Sequence, residues 1–346
     1  LQGFSQMTSL SLADLGWSAF FGRQDIPDGS APLRVSSVHR DRIEAIGPDG
    51  LHSLSTPGKT GELAPGDWVL SDDGHVTRVL DRQSLLKRGG AGNDARPQFL
   101  AANVATLGIV TSCNADFNLA RLERYLVIAT DAGCLPLVIL TKADTVDDPG
   151  AYVKEAQRLS PLLTAIAIDA TDPEDVERLT AWCRDGQTLA LVGSSGVGKT
   201  TLRNALTGDE AVTQDIREDD AKGRHTTTSR ALVRTLAGGW IIDTPGMRSL
   251  SLTDVGDGIA AVFEDIESLT HGCRFSDCSH EVEPGCAVLA ALAAGDLDAD
   301  RIKRWRKLKS EEMRNSETLA DSRARDKNFG KMVRSVTSRK RFERDR

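Results

Sequence analysis

The chain has 346 residues, 40% of them hydrophobic and 27% charged, and a formal net charge of −7. That length favours two or three domains, and the composition is that of globular protein with real cores. No apolar run approaches the roughly 20 residues that span a bilayer, and no signal peptide opens the chain, so a membrane role is excluded from the expectations. Met7 is a candidate native start, with Leu1 to Gln6 a remnant ahead of it. The charge is uneven: residues 301–346 hold 17 Lys+Arg against 7 Asp+Glu. A basic end on an acidic body points to a polyanionic partner there, the plainer alternative being a solvated helix and tail. Cys113, Cys134 and Cys183 stand singly in apolar surroundings and are expected to be buried. The pattern fits a reducing cytoplasm rather than a disulfide framework.

Residues 1–32 are set apart as an N-terminal extension, and 33–90 as a small β domain. Strands are predicted at Leu33–His39, Arg42–Ile46, Leu51–Leu54, Asp67–Leu70 and Val76–Leu80. Turn signals such as Gly47-Pro-Asp-Gly50 and Asp72-Asp-Gly74 separate them. Five strands in so short a span suit an OB-like barrel, a fold that often binds oligonucleotides; an SH3-like barrel would read much the same. Gly89 to Pro97 is expected to be a linker.

From about residue 98 to 252 strands alternate with helices. Strands are predicted at 104–110, 137–140, 164–168 and 189–192, and helices at 119–130, 151–159 and 173–184. Such alternation implies a mostly parallel sheet covered on both faces, with ligand loops at the carboxyl ends of its strands. The last of those strands feeds Gly193-Ser194-Ser195-Gly196-Val197-Gly198-Lys199-Thr200-Thr201, which fits G-x-x-x-x-G-K-[ST] between a strand and a helix. The glycines let successive N–H groups turn toward phosphate oxygens, Lys199 supplies a charge for the β- and γ-phosphates, and the Thr200 hydroxyl suits Mg²⁺. This is a nucleoside-triphosphate site.

Further motifs fall at predicted strand ends. Thr141-Lys142-Ala143-Asp144 is similar to the Asn-Lys-x-Asp signature that reads guanine. Its Asp can accept from the N1–H and N2 amine, donors that adenine does not present there. A Thr stands where Asn is usual; its hydroxyl could still donate to N7. Asp169-Ala170-Thr171 is a candidate backbone contact to the base. Gly223-Arg-His-Thr-Thr-Thr228 offers hydroxyls that could close over Mg²⁺ and the γ-phosphate. Asp243-Thr-Pro-Gly246 follows the predicted strand 239–242 and supplies Asp243 toward the metal and the Gly246 N–H toward the γ-phosphate. The guanine motif precedes the phosphate loop and Asp-x-x-Gly comes last, so the domain is expected to be circularly permuted.

Residues 253–346 begin with Cys273-x4-Cys278-x-His280-x5-Cys286, a complete tetrahedral Cys₃His set of the kind structural zinc prefers. Three buried cysteines with an incidental histidine, or a disulfide, are the alternatives. Ile302, Trp305 and Leu308 then form an apolar stripe on a helix whose other faces carry Lys303, Arg304, Arg306, Lys307 and Lys309. RNA contact by that basic face is the sharper expectation and plain packing the simpler one.

Together, the permuted order, Gly-Arg-His-Thr-Thr-Thr, Asp-Thr-Pro-Gly and the Cys/Cys/His/Cys spacing resemble the RsgA (YjeQ) family of small-ribosomal-subunit biogenesis GTPases, over roughly residues 33–310. The resemblance implies a multidomain chain: an OB-like β-barrel, a central α/β circularly permuted P-loop GTPase domain and a small α-helical zinc-binding domain with a basic helical tail. It implies GTP/GDP, Mg²⁺ and one structural Zn²⁺ as ligands. The 30S ribosomal subunit and its 16S rRNA would be the partners, in the cytoplasm, with the chain itself a monomer and its GTP hydrolysis stimulated by the ribosome. By position it assigns Thr141, Lys142 and Asp144 to guanine, Gly193–Thr201 to phosphates and Thr226 or Thr227 to the metal in the first switch. Asp243 and Gly246 become the second switch, and Cys273, Cys278, His280 and Cys286 the zinc ligands. Met247 stands where many GTPases carry a water-orienting Gln, so intrinsic turnover is expected to be slow; His225 is an internal candidate for that role. The competing expectations are an ATPase or small-molecule kinase, and a GTP-gated module with negligible hydrolysis acting on another RNA.

Overall fold

The computed structural model describes residues 10–27, 29–56, 60–88, 98–161, 163–209, 231–243, 252 and 254–316. Residues 1–6, the 89–97 linker, the 223–228 motif with His225, Thr226 and Thr227, Gly246, Met247 and the tail beyond 316 lie outside the described residues, as does the Asp243 side chain. The described residues fall into two compact units, 10–88 with 98–243, and 252–316.

After a short helix α1 (Ala19–Gly22), the first unit opens with the barrel: β1 (Pro32–Val38), β2 (Arg42–Gly47), β3 (Gly50–Ser55), β4 (Trp68–Asp72) and β5 (His75–Val79). The five predicted strands are all present. β1, β2, β3, β5 and β4 are neighbours in that order, and a β1–β4 pairing closes the ring. The parallel β3–β5 contact at Ser55 and His75 breaks the simple meander, as a Greek-key OB-like barrel requires. Its interior is Leu33, Val35, Ile43, Ala45, Leu54, Val69 and Val76, contributed by the strands, with Leu63 from the segment between β3 and β4. Arg82 clamps the buried Asp67 with two contacts, Nε to Oδ1 at 2.6 Å and Nη2 to Oδ2 at 2.8 Å.

Two strands escape the sequence pattern. β6 (Leu85–Arg88) and β7 (Gln98–Ala102) pair antiparallel on either side of 89–97. Each is four or five residues long, and its apolar content (Leu85-Leu86, Phe99-Leu100) is too brief to alternate visibly.

The remaining elements are β8 (Thr106–Ser112), α2 (Leu119–Asp131), β9 (Leu135–Thr141), α3 (Pro149–Gln157), β10 (Thr164–Ala167), α4 (Pro173–Glu177), β11 (Thr188–Gly193), α5 (Lys199–Thr207), β12 (Ala231–Arg234) and β13 (Trp240–Asp243). β10, β9, β8, β11 and β13 run parallel in that spatial order, with β12 antiparallel beside β13. β8 and β11 are buried at every residue, and β11 accordingly reads as an apolar run from Leu189 to Val192. Helix starts follow local chemistry: Asn118 caps α2, and Asp148 and Asp172 cap α3 and α4 with Pro at the first helical position. The predicted helix 173–184 is cut short. α4 ends at Glu177 and tightens into a 3₁₀ turn over Arg178–Trp182. The backbone there is drawn into tertiary bonds, the Cys183 carbonyl accepting from Thr235 Oγ1 (2.6 Å) and from the Gly239 N–H (3.1 Å).

Barrel and parallel sheet meet inside this unit. β1 pairs with β12 at Ser37 and Ala231, making one continuous eleven-stranded sheet. Beside that join Arg34 is 2% exposed. Its Nη1 donates to Leu15 O (2.5 Å) and its Nη2 to Thr188 Oγ1 (2.6 Å), at the base of the phosphate-loop strand. The guanidinium lies 5.8 Å from the Trp68 ring and 5.9 Å from that of Trp240, and burial pushes its pKa down to about 9. Arg34→Ala would leave Leu15 O and Thr188 Oγ1 without these donors and open a slot between the indoles. The expected loss is about 3 kcal/mol, read as a lower urea midpoint; an unchanged midpoint would show that the side chain does not fasten barrel to sheet.

The second unit comprises α6 (Gly256–Val262), α7 (Glu264–Thr270), α8 (Ala287–Ala294) and a helix α9 over 299–316. Ile259, Phe263, Ile266, Val288, Ile302, Trp305 and Leu308 are buried, so the predicted apolar stripe of α9 is its packing face. Among the described residues no helix is long and apolar enough to cross a membrane.

Candidate functional site: a phosphate loop, a base-reading edge and a Cys₃His cluster

Because β8, β9, β10, β11 and β13 are parallel, their carboxyl ends share one edge of the sheet. Ser112 pairs with Thr141, Gly193 with Val110 and Leu191 with Asp243. The phosphate loop after β11, the 141–144 turn, Asp169-Ala170 after β10 and the end of β13 therefore lie along that edge.

The loop is shaped by backbone requirements. Gly193, Gly196 and Gly198 have φ of 146°, 77° and 89°, values that side chains rarely tolerate. Gly198 then stands at the N-cap of α5, which begins with Lys199, Thr200 and Thr201. The Lys199 ammonium donates to Gly193 O (3.0 Å) and to Ser194 O, closing the loop round its charge. Ser195 and Gly196 are exposed, Val197 is buried, and Thr200 is half-buried in the first helical turn.

Thr141 is 1% exposed. Its hydroxyl has Val197 O at 2.8 Å and Thr111 O at 3.1 Å as acceptors. It therefore ties the 141–144 turn to the phosphate loop. Lys142 takes a left-handed conformation (φ 58°), turning the chain so that Ala143 N–H donates to Ile168 O (3.2 Å). Asp144 is exposed, and its charge, after burial, helps push the Cys113 thiol up. The Asp169 carboxylate is occupied locally, accepting from Thr171 N–H (2.8 Å) and Oγ1 (2.7 Å), bonds that hold its pKa below the ordinary value. Ala170 beside it is buried. Sequence reasoning missed Arg121, whose Nη1 donates to Ser194 Oγ and to Asp116 Oδ1 (2.6 Å); a lone Arg one turn into a helix carries no motif that would have flagged it.

In the second unit the ligand atoms of Cys273, Cys278, His280 and Cys286 all lie within 4.8 Å of one another. His280 Nδ1 is 3.5 Å from Cys273 Sγ and 3.4 Å from Cys286 Sγ, and the two sulfurs are 3.9 Å apart. A tetrahedral Zn²⁺ with ordinary bond lengths needs edges of about 3.5–3.8 Å, so the donor set fits. Burial, then Lys309 and Arg306, hold the His280 pKa below its usual value, favouring the neutral ring that ligates metal. Several cations of α9 are spent within the unit: Arg301 on Asp265 (2.8 Å), Lys303 on Asp300 (3.0 Å), Lys309 on Glu267 (3.0 Å) and Arg306 on His280 O.

A phosphate loop on the central strand, reached only after the strand that carries the Thr141-Lys-Ala-Asp144 turn, defines a circularly permuted P-loop GTPase domain behind an OB-like barrel. The family model described as RsgA GTPase matches residues 79–253. The chain is 52% identical over 322 residues to the small ribosomal subunit biogenesis GTPase RsgA of Mesorhizobium japonicum, covering 89% of this chain and 92% of that one. It is 45% identical over 339 residues to RsgA 2 of Vibrio parahaemolyticus, covering 96% and 95%. The chain belongs to the RsgA GTPase family. Two solved structures share the fold. YjeQ from Thermotoga maritima aligns with a TM-score of 0.61 at 24% identity over 82% of this chain and 99% of that one. YloQ, described as a circularly permuted GTPase, aligns at 0.56 and 21% over 88% and 98%. Membership makes the chain a GTPase, with GTP and GDP as its nucleotides and Mg²⁺ as their usual companion.

Proposed function

We propose that this chain hydrolyses GTP to GDP and phosphate in the late assembly of the small ribosomal subunit, binding the 30S particle through 16S rRNA and turning over faster on it. The observation that carries the reading is the 52% identity, across 89% of the chain, to a relative named for that role. The barrel at 33–90, the GTPase domain at 98–252 and the metal-stapled region from 253 divide the work. Lys199 and the loop N–H groups of 193–201 hold the phosphates, and Lys142 and Asp144 hold guanine with Ala143, Asp169 and Ala170 shaping the pocket wall. Thr141 sets the distance between the two loops. Thr200, Thr226 or Thr227 and Asp243 would hold Mg²⁺, which when bound offsets charge on the β- and γ-phosphates. Gly246 N–H would meet the γ-phosphate, and Cys273, Cys278, His280 and Cys286 would hold structural zinc. The chain works in the cytoplasm as a monomer.

The test measures GTP hydrolysis with and without purified 30S subunits, and co-sedimentation with them in a non-hydrolysable GTP analogue. Stimulated turnover and analogue-dependent co-sedimentation are expected; a rate indifferent to 30S, or displacement of bound GDP by ATP as readily as by GTP, would refute the reading. Asp144→Asn removes the acceptor for guanine N1–H and is expected to cost about a hundredfold in GDP affinity, measured by titration with a fluorescent GDP.

A further inference from the structure

Lys199 is one of two cations that meet the phosphate loop at Ser194. Arg121 sits in the first turn of α2, where Asn118 caps the helix and accepts the Arg121 N–H at 3.0 Å. α2 follows β8, the immediate neighbour of the phosphate-loop strand. The Arg121 Nη1 donates to Ser194 Oγ, while Lys199 Nζ donates to the carbonyl of the same residue. Asp116 takes the other Nη1 contact at 2.6 Å and itself accepts from Thr111 Oγ1 at 3.3 Å. The Arg121 side chain is 35% exposed and that of Asp116 26%, so the pair is partly solvated beside the loop that Arg121 touches at Ser194. A guanidinium offers five donors in a plane that matches phosphate oxygens, and its contacts with the described residues here run through Nη1. Meanwhile Met247 follows the Asp-x-x-Gly motif and brings no hydrogen bond to an attacking water.

We propose that Arg121 supplies, in cis, the second cation of the γ-phosphate: its guanidinium, held by Ser194 and Asp116, turns onto the γ-phosphate oxygens when GTP occupies the loop. The inference rests on the reading of this site as a GTPase centre. In the step it serves, a water oxygen bonds to the γ-phosphorus as the bond from that phosphorus to the β–γ bridging oxygen breaks. The electron pair of that bond stays on GDP, and the protons of the water pass to the released phosphate and to solvent. Charge accumulating on the bridging and γ-oxygens is what a guanidinium stabilises, and arginines so placed in other GTPases accelerate hydrolysis by about 10³–10⁵.

The experiment compares the unaltered chain with Arg121→Lys, Arg121→Gln and Asp116→Asn. It reads affinity for GDP, affinity for a non-hydrolysable GTP analogue, and single-turnover hydrolysis. Both Arg121 variants are expected to keep GDP affinity within about twofold and to hydrolyse about a hundredfold more slowly. Lys should recover little of the rate, because it lacks the planar fork. Asp116→Asn, which removes the competitor for the guanidinium, is expected to tighten the analogue and leave GDP unchanged. Equal losses for GDP and analogue would make Arg121 a prop of the loop and overturn the proposal, as would unaltered hydrolysis in both Arg121 variants. A variant that fails to fold is recognised by its far-UV circular dichroism before any binding is read, and Asp116→Asn then decides alone: an analogue affinity that does not rise sinks the proposal. If the unaltered chain hydrolyses nothing with or without 30S, the GTPase reading itself falls; if it hydrolyses normally and the variants match it, only Arg121 does.

Discussion

Stripping the zinc that Cys273, Cys278, His280 and Cys286 are proposed to hold is expected to unfold residues 254–316 while the parallel sheet stays intact. The reason is size. The unit is built from helices of 7, 7 and 8 residues and the longer helix over 299–316, and isolated helices so short are marginal in water. A core of some sixty residues supplies little net stability without a staple. Zinc binding in comparable small domains contributes about 10–16 kcal/mol, far more than any side-chain contact nearby. The cluster also orders its surroundings: the His280 and Trp305 rings lie 5.4 Å apart, Arg306 holds His280 O, and Trp305 Nε1 donates to Glu267 Oε1 at 2.8 Å. Hydrogen exchange after chelation, with metal loss verified by elemental analysis, should show amides of α7, α8 and α9 losing protection and those of β8 and β11 keeping theirs. Retained protection in α8 and α9 of the stripped protein would mean that the helices stand without the metal. Cys286→Ser should reproduce the loss, since it removes one of the four proposed zinc ligands while a serine hydroxyl can still cap α8.

Gly193→Ala is expected to abolish nucleotide binding and to cost the first unit more than about 3 kcal/mol. A Cβ built at residue 193 would stand 2.1 Å from Val110 O and 3.0 Å from Val110 C, inside the β8–β11 pairing of those two residues. Its φ of 146° adds strain that no relaxation of neighbours removes. Separating β8 from β11 there would also displace Gly193 O from Lys199. The control is Gly196→Ala in the same loop. At φ 77° a Cβ there meets nothing within 4 Å, so only the left-handed backbone is penalised, by about 1–2 kcal/mol. Urea unfolding and fluorescent-GDP titration should separate the two variants widely; matching behaviour would show that close approach to β8 does not shape the loop.

Much of this was legible in the sequence because chemistry at the site is written in contiguous stretches. The phosphate loop, the 141–144 turn and the Cys₃His set each sit within fourteen residues, and the order of the first two declared the permutation. The buried strand β11 announced itself as an apolar run from Leu189 to Val192. What escaped depends on contacts between distant segments. β12 is four residues long and exists as the partner of β13 and β1. The early end of α4 is set by Thr235 and Gly239, more than fifty residues downstream. The Thr141 hydroxyl faces the loop at Val197, fifty-six positions away; nothing local tells a base-facing threonine from a loop-facing one. Arg34 belongs to no motif, and it is among the most deeply buried side chains.

That arginine also bears on how the chain can be taken apart. Leu15 O lies in the extension, Trp68 in the barrel, and Thr188 and Trp240 in the nucleotide-binding half. Trp240 Nε1 reaches back to Asp14 O at 2.8 Å. A gene fragment begun at residue 33 would strip away one acceptor of the guanidinium and unroof both indoles. A barrel excised on its own would bare a charged side chain on a greasy wall and tend to clump. Protease nicking of the native protein should accordingly leave residues 10–22 clinging to the larger piece.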